Sequence, residues 1–218
     1  RPGACILAPE PSFVMYKINA QWSHLRYEGF TLRPDFSLDA DAFIAKMKAV
    51  SPAVVWLAYP NNPTGNLFRE ADVVRIIQAA PGLVVLDEAY NVFAGKSFMA
   101  QIPAHPNLMV MRTVSKLGLA GLRLGYAAAH PAWIAEFDKV RPPYNVSVLT
   151  QAVAETALKH LTVLENQAKM IVGERHELMA SLREMRGVEV FASEANFILV
   201  RVPDAPKTDA ALRSRRIL

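Results

Sequence analysis

Three short polar motifs, each directly after a run of apolar residues, carry the groups that could do chemistry in this chain. Asn62 follows the first run, Asp87 and Tyr90 follow the second, and Lys116 follows the third. An amine, a carboxylate and donors to a ring oxygen are the partners that pyridoxal phosphate requires. The amine holds the aldehyde as an imine, the carboxylate keeps the pyridine nitrogen protonated, and the donors lower the pKa of the imine.

Hydroxyl groups and a cation near the lysine complete this set. Thr113 and Ser115 precede Lys116, and Arg123 follows it by seven residues. Hydroxyls and a guanidinium are suited to a phosphate group. Each motif alone also has a structural explanation, such as turn chemistry for Asn-Pro-Thr-Gly and helix capping for Asp-Glu. Their joint occurrence after three successive strands favours a pyridoxal phosphate site.

Other classes of site lack their signatures in this sequence. Neither GxGxxG nor GxxxxGK[ST] occurs, which excludes the usual dinucleotide and P-loop motifs. The single cysteine, Cys5, excludes a disulfide framework and a cysteine zinc site, so we expect no metal and a reducing, cytoplasmic setting. The net charge is +4, with no recognised binding motif, so we expect no nucleic-acid partner. No apolar run approaches the ~18 residues of a membrane span, so we expect no membrane partner.

Strand-like and helix-like patterns alternate over about the first 140 residues. The strand-like runs are continuously apolar, which indicates burial on both faces, and the intervening helices indicate a mainly parallel sheet. The motifs would then meet beyond the carboxyl ends of its strands. The sequence therefore predicts an α/β fold. The predicted strands are 4–8, 24–30, 53–59, 83–86, 108–114 and 124–129, and the predicted helices are 13–21, 38–50 and 69–80.

The pattern changes at Pro142-Pro143, which we interpret as a domain boundary. Residues 146–185 contain no proline and repeat apolar residues at three- and four-residue steps, which predicts one or two long helices. Strands are predicted over 188–191 and 197–202, followed by a helix from about Lys207 and a new apolar run at 217–218. The predicted domains are a large cofactor-binding domain over 1–142, and a linking helix with part of a small α+β domain over 143–218.

The segments AYPNNPTG, VVLDEAYNVF and TVSKLGLAGLRLGY, in this order, resemble the signature of fold-type I pyridoxal-phosphate-dependent aminotransferases. They are most similar to the histidinol-phosphate aminotransferases, and the resemblance runs from PEPSFVMY through EANFILVR. It implies ping-pong transamination between histidinol phosphate and 2-oxoglutarate in histidine biosynthesis. An aromatic or broad-specificity aminotransferase, a related decarboxylase and, more distantly, a regulatory pyridoxal-phosphate-binding domain are the alternatives.

The resemblance implies a role for each matching residue. Lys116 would hold the cofactor and, once freed, move the proton between the substrate Cα and the cofactor C4′. Asp87 would pair with the pyridinium nitrogen, and Tyr90 and Asn62 would bind the ring oxygen. The remaining assignments are Thr113, Ser115 and Arg123 to the phosphate, and Phe13, where relatives often have tyrosine, to the ring face.

Three further expectations concern the substrate, the partner and the chain ends. Arg201, which follows ANFILV, could face the substrate or could face solvent from an edge strand. Because the family's sites lie at a subunit interface, the resemblance implies a homodimer. It also implies family segments before Arg1 and after Leu218, including an arginine for the substrate carboxylate. We therefore expect the chain to be an excerpt of a longer protein.

Overall fold

A six-stranded sheet forms the centre of the computed structural model, which describes residues 3–217. Its spatial order is β2-β1-β3-β4-β5-β6, with the first five strands parallel and β6 antiparallel to β5. The predicted mainly parallel sheet is therefore confirmed. The strands are β1 (Cys5–Glu10), β2 (Arg26–Thr31), β3 (Val54–Ala58), β4 (Leu83–Asp87), β5 (Leu108–Thr113) and β6 (Gly125–Ala129).

Helices connect the parallel strands and cover the sheet. They are α1 (Met15–Trp22), α2 (Ala40–Val50), α3 (Glu70–Ala79) and the single turn α4 (Asn91–Ala94). Alternate residues of β3 point to opposite faces, so Leu57 joins the main core while Ala58 packs with Tyr16 on the other side. The main core also contains Phe43 of α2 and Ile76 of α3, both fully buried. Burial on both faces explains why the strands are continuously apolar.

The remainder of the chain is mainly helical. The pattern over 146–185 resolves into two helices, α6 (Val148–Leu158) and α7 (Leu161–Arg183), after α5 (Pro131–Val140). The short helix α5 was not predicted, although its proline at the first position is typical of a helix start. The two strands predicted after α7 shrink to β7 (Glu189–Val190) and β8 (Val200–Arg201), and α8 (Ala205–Ser214) follows.

The two strands are short because residues 193–197 form a closed turn instead of continuing the β7–β8 pairing. The Ser193 hydroxyl donates to the carbonyl of Phe197 at 2.5 Å and accepts from the amide of Ala195 at 3.1 Å. The domain boundary at Pro142-Pro143 stays a prediction. The outer ends of the two predicted domains and of the last apolar run lie outside the described residues, at Arg1, Pro2 and Leu218. Among the described residues, no helix is both long and apolar enough to cross a bilayer.

Candidate active site

A cavity of about 440 Å³ opens at the carboxyl ends of β3, β4 and β5. The chain runs outward from β1 to β2 and returns to β3 on the other side of β1, so the sheet has a topological switch point there. Open α/β sheets bind ligands beyond the strand ends at such a point. All eight cofactor-site residues expected from the sequence line this cavity: Phe13, Asn62, Asp87, Tyr90, Thr113, Ser115, Lys116 and Arg123.

Asp87, the last residue of β4, presents its carboxylate to the cavity in a defined orientation. Oδ2 accepts a hydrogen bond of 2.7 Å from the Tyr16 hydroxyl, and Oδ1 accepts one of 3.0 Å from the Ala89 amide. Burial raises the pKa of Asp87, and these two hydrogen bonds oppose that rise. Each oxygen retains a lone pair, so the carboxylate can accept a further donor from a ligand.

Tyr16 is a site residue that the sequence analysis did not assign. Its ring stacks on Trp56 at a centroid distance of 4.7 Å and meets the edge of Phe13 at 5.6 Å. Burial and the neighbouring Asp87 raise the pKa of Tyr16 well above its usual value, so the hydroxyl stays protonated and donates. A usable signal was present, because the helix predicted over 13–21 would place Tyr16 on the same face as Phe13, although α1 begins only at Met15.

Asn62 and Tyr90 form a pair in the segments that follow β3 and β4, and both line the cavity. The Asn62 amide donates to the Tyr90 hydroxyl at 3.2 Å, and Lys116 Nζ lies 5.0 Å from the centroid of the Tyr90 ring. The preceding Asn61 is fully buried and holds the loop itself, since its amide donates to the Thr64 hydroxyl at 2.7 Å. The two adjacent asparagines therefore differ: Asn61 is structural, and Asn62 faces the cavity.

Two hydroxyls and a guanidinium also line the cavity. The Thr113 and Ser115 hydroxyl oxygens are 2.9 Å apart, and the Ser115 amide donates to the Thr113 hydroxyl at 3.1 Å. Arg123 is exposed at the rim, in the left-handed backbone region with φ of 50°. Its Nη1 donates to the Ala120 carbonyl at 3.3 Å, which leaves the other guanidinium N–H groups available to an anion.

Glu88, next to Asp87, points away from the cavity because successive strand residues face opposite sides. It is 1% exposed and accepts hydrogen bonds from the Phe98 amide at 2.6 Å and the Ser97 hydroxyl at 2.9 Å. Arg112 Nε donates to it at 3.0 Å. The acid thus ties β4 to β5 rather than capping a helix, and this connection helps to hold Asp87 in register.

The structure does not bring Arg201 to the cavity. Its side chain, 55% exposed on the two-residue strand β8, pairs with Glu189 of β7, and its guanidinium lies 4.9 Å from the Phe191 ring. Of the two alternatives, an arginine that faces solvent from an edge strand agrees with this position. The strand that carries Arg201 pairs with β7 and not with the central sheet, and a substrate contact stays a prediction.

A second cavity, of about 670 Å³, shares Arg112 and Thr113 with the first. Of the eight residues expected at the cofactor site, Thr113 alone lines this larger cavity, whereas all eight line the smaller one.

Comparison with known proteins identifies the family. The family model for class I and II aminotransferases matches residues 1–217. This chain belongs to that family. Its mainly parallel central sheet, flanked by helices, matches the fold-type I pyridoxal-phosphate-dependent aminotransferases, as the resemblance implied.

The similar curated proteins are longer than this chain. Histidinol-phosphate aminotransferase 1 of Ralstonia nicotianae is 54% identical over 223 residues, which cover 100% of this chain and 60% of the relative. Histidinol-phosphate aminotransferase of Chromobacterium violaceum is 56% identical over 218 residues, which cover 100% and 61%. The chain thus spans about three fifths of the length of these relatives.

Solved structures agree with this family and fold. The histidinol-phosphate aminotransferase of Sinorhizobium meliloti, in complex with pyridoxal 5′-phosphate, matches with a TM-score of 0.86 and 27% identity over 99% of this chain and 60% of that one. The enzyme of Clostridium acetobutylicum matches with a TM-score of 0.89 and 25% identity over 98% and 67%.

Proposed function

We propose that this protein is a pyridoxal-phosphate-dependent aminotransferase that exchanges the amino group of histidinol phosphate with 2-oxoglutarate in histidine biosynthesis. One observation carries the proposal: three strand ends bring Lys116, Asp87 and the Asn62–Tyr90 pair to a single cavity. The choice of substrate is supported by the names of the relatives that are 54% and 56% identical.

The residues that line the cavity fit this cofactor. Its volume of about 440 Å³ is within the range of small-molecule sites. The carboxylate of Asp87 is largely buried, and its two hydrogen-bond donors among the described residues, Tyr16 and Ala89, are both uncharged. Burying a charge is costly unless it is paired. A pyridinium N–H would supply the pairing. Thr113, Ser115 and Arg123 would bind the phosphate.

Bound pyridoxal phosphate supplies an aldehyde and an electron sink. The residues of the chain contribute binding, orientation and proton control. Asp87 would hold a proton at the pyridine nitrogen, and Asn62 and Tyr90 would bind the ring oxygen. The Lys116 amine would hold the cofactor and, once freed, would move a proton between the substrate Cα and the cofactor C4′. Phe13, which is 41% exposed, would cover one face of the ring.

Borohydride trapping tests the lysine assignment. Reduction of the purified protein with bound cofactor should fix the label on Lys116, as identified by peptide mass spectrometry. The variant Lys116→Ala should take up no label, whereas Lys96→Ala, which changes a lysine outside this cavity, should be labelled normally. Label on any other lysine would contradict the proposed site.

An amino-donor panel tests the substrate. Histidinol phosphate should be the fastest donor to 2-oxoglutarate, ahead of phenylalanine, tyrosine and aspartate. Equal rates for all donors would remove the pathway assignment and favour a broad-specificity aminotransferase. Release of carbon dioxide instead of amino transfer would favour a decarboxylase, and tight cofactor binding without turnover would favour a regulatory domain.

We also propose that the protein is a cytoplasmic homodimer. Helix α6 exposes large apolar side chains, with Val148 and Leu149 each more than three-quarters exposed. Contiguous apolar surface of this kind is typical of interaction sites. Sedimentation analysis of the purified protein should give twice the monomer mass, and a monomer at micromolar concentration would contradict the dimer.

A further inference from the structure

Arg175 of α7 is an arginine withdrawn almost completely from solvent. It is 4% exposed, and its Nη1 donates to the backbone carbonyl of Ala195 at 2.8 Å. Its Nη2 lies 3.3 Å from a carboxylate oxygen of Glu194, and its Nε has no hydrogen-bond partner among the described residues. Burying a guanidinium in this way costs free energy. A buried ion pair is weak evidence for a stabilising role, and the contacts of Arg175 indicate another role.

The partner of Arg175 is the closed turn described above, which we name the 193–197 segment. Ala195 is fully buried, and Ser193 is 5% exposed. Because the Ser193 hydroxyl bonds within the turn, the segment is shaped as a unit. Holding the Ala195 carbonyl in place therefore also holds the other residues of the segment.

The 193–197 segment contacts the candidate active site at two places. The Glu194 amide donates to the Gly65 carbonyl at 2.7 Å, and the Phe197 ring meets the Tyr90 ring edge-on at 5.1 Å. The approach at Gly65 is close: its φ is 79°, and a Cβ there would lie 2.6 Å from the Ser193 hydroxyl oxygen.

Both contacts connect the segment to Asn62 and Tyr90, the pair proposed to bind the ring oxygen. The Gly65 amide donates to the Asn61 carbonyl at 2.7 Å, next to Asn62, and the Asn62 amide donates to Tyr90 at 3.2 Å. We propose that Arg175 is a positioning residue that holds the 193–197 segment against Gly65 and Tyr90 and thereby fixes the geometry of the Asn62–Tyr90 pair. This inference rests on the proposed function of that pair.

Besides its contact with His176 Nε2 at 3.2 Å, Arg175 makes two contacts with the 193–197 segment, and these two are unequal. The Glu194 side chain is 45% exposed, so its ion pair is screened by water and contributes little. The bond to the Ala195 carbonyl is buried and charge-assisted, which makes it the stronger contact. The positioning effect should therefore depend on the guanidinium and not on the carboxylate, and this difference defines a matched pair of variants.

The experiment compares Arg175→Met, Arg175→Lys and Glu194→Gln in the purified protein loaded with pyridoxal phosphate. The measurements are the pH midpoint of the visible cofactor absorbance and the dissociation constant of the cofactor. Weaker donors to the ring oxygen raise that midpoint. For Arg175→Met we expect a rise of about one pH unit and a dissociation constant about tenfold larger. Arg175→Lys should restore part of both, and Glu194→Gln should match the wild type.

Tyr90→Phe separates failure of this inference from failure of the proposed function. A folded Arg175→Met protein with the wild-type midpoint and affinity, beside a Tyr90→Phe protein with a raised midpoint, overturns the role of Arg175 alone. A wild-type protein that binds no pyridoxal phosphate, or a Tyr90→Phe protein with an unchanged midpoint, overturns both.

A second variant keeps the test decisive if Arg175→Met does not fold. Ser193→Ala removes the internal hydrogen bonds of the 193–197 segment and leaves Arg175 in place. It should raise the midpoint in the same direction, and faster hydrogen exchange at the Glu194 amide should accompany the change. A wild-type midpoint together with faster exchange at Glu194 would overturn the proposal.

Discussion

The hydroxyl of Tyr16 donates a 2.7 Å hydrogen bond to Oδ2 of Asp87, 71 residues further along the chain. This contact joins the start of α1 to the carboxyl end of β4. Because burial and the Asp87 charge raise the pKa of Tyr16, the donor does not ionise at physiological pH. The orientation of the carboxylate therefore depends on a residue in another element, which leads to the first prediction.

Tyr16→Phe should weaken cofactor binding and stability together. It removes a hydrogen bond to a charged group, which is worth about 1.5–3 kcal/mol, so the cofactor dissociation constant should rise roughly tenfold or more. The pKa of Asp87 should rise further, because the Tyr16 bond lowers it. Tyr27→Phe is the control, since Tyr27 lies beside Glu10 outside the cavity. An equal loss of affinity in both variants would contradict the role of Tyr16.

Asp87→Asn should retain cofactor but lose most turnover. An amide cannot keep the ring nitrogen protonated, so the ring is a weaker electron sink. We expect the turnover number to fall by about two orders of magnitude or more. Asp41→Asn, which changes an exposed carboxylate on α2, should keep the wild-type rate. Wild-type turnover in Asp87→Asn would show that the carboxylate has another function.

The same substitution should change the pH dependence of stability in the cofactor-free protein. The pKa of Asp87 is raised in the folded state above its unfolded value of about 3.9. The folded state then binds more protons than the unfolded state between those two pKa values. The contribution of Asp87 to the free energy of unfolding is therefore stabilising at low pH and is lost as the pH rises through the pKa that Asp87 has in the folded state.

Thermal unfolding at several pH values measures this effect. The melting temperature of Asp87→Asn minus that of the wild type should increase as the pH rises from 4 to 8. A difference that stays constant over this range, or changes in the opposite direction, would show that burial does not dominate at Asp87.

Arg123→Ala should weaken binding of pyridoxal phosphate but not of pyridoxal. The variant removes the only cation assigned to the phosphate, and a charge-assisted contact of this kind corresponds to about a 10- to 100-fold change in the dissociation constant. Arg201→Ala should leave both affinities unchanged, because Arg201 pairs with Glu189 away from the cavity. Equal losses for pyridoxal and its phosphate would place Arg123 elsewhere in the site.

Glu88→Gln should be strongly destabilising. The substitution leaves the partly buried Arg112 without its carboxylate, and breaking such a pair typically costs about 3–5 kcal/mol. Urea unfolding measures the loss. Glu136→Gln, which breaks an exposed pair with Lys139, should have little effect. Similar stabilities for the two variants would contradict the structural role of Glu88.

Local patterns in the sequence determined the sheet and most of the cavity residues. The strand at 83–86 and the acid that follows it can be predicted from neighbouring residues alone, because a continuous apolar run and the start of a loop are local properties. Lys116, Asn62 and Tyr90 follow their strands in the same way, and parallel strands bring their carboxyl ends to one edge. Helix α5 was not predicted, although it begins with a proline, and strands β7 and β8 are shorter than predicted because the hydrogen bonds of Ser193 close a turn between them.

The long-range contacts were decided only by the tertiary structure. Neither the Tyr16–Asp87 hydrogen bond nor the contact of Arg175 with Ala195 follows from spacing, since each depends on how a helix docks against a distant segment. The same holds for Arg201, whose direction depends on which strand β8 joins. The sequence alone thus determined which groups could serve a cofactor. Packing between elements determined which of them line the cavity, because a side chain's surroundings come from residues far away in the chain.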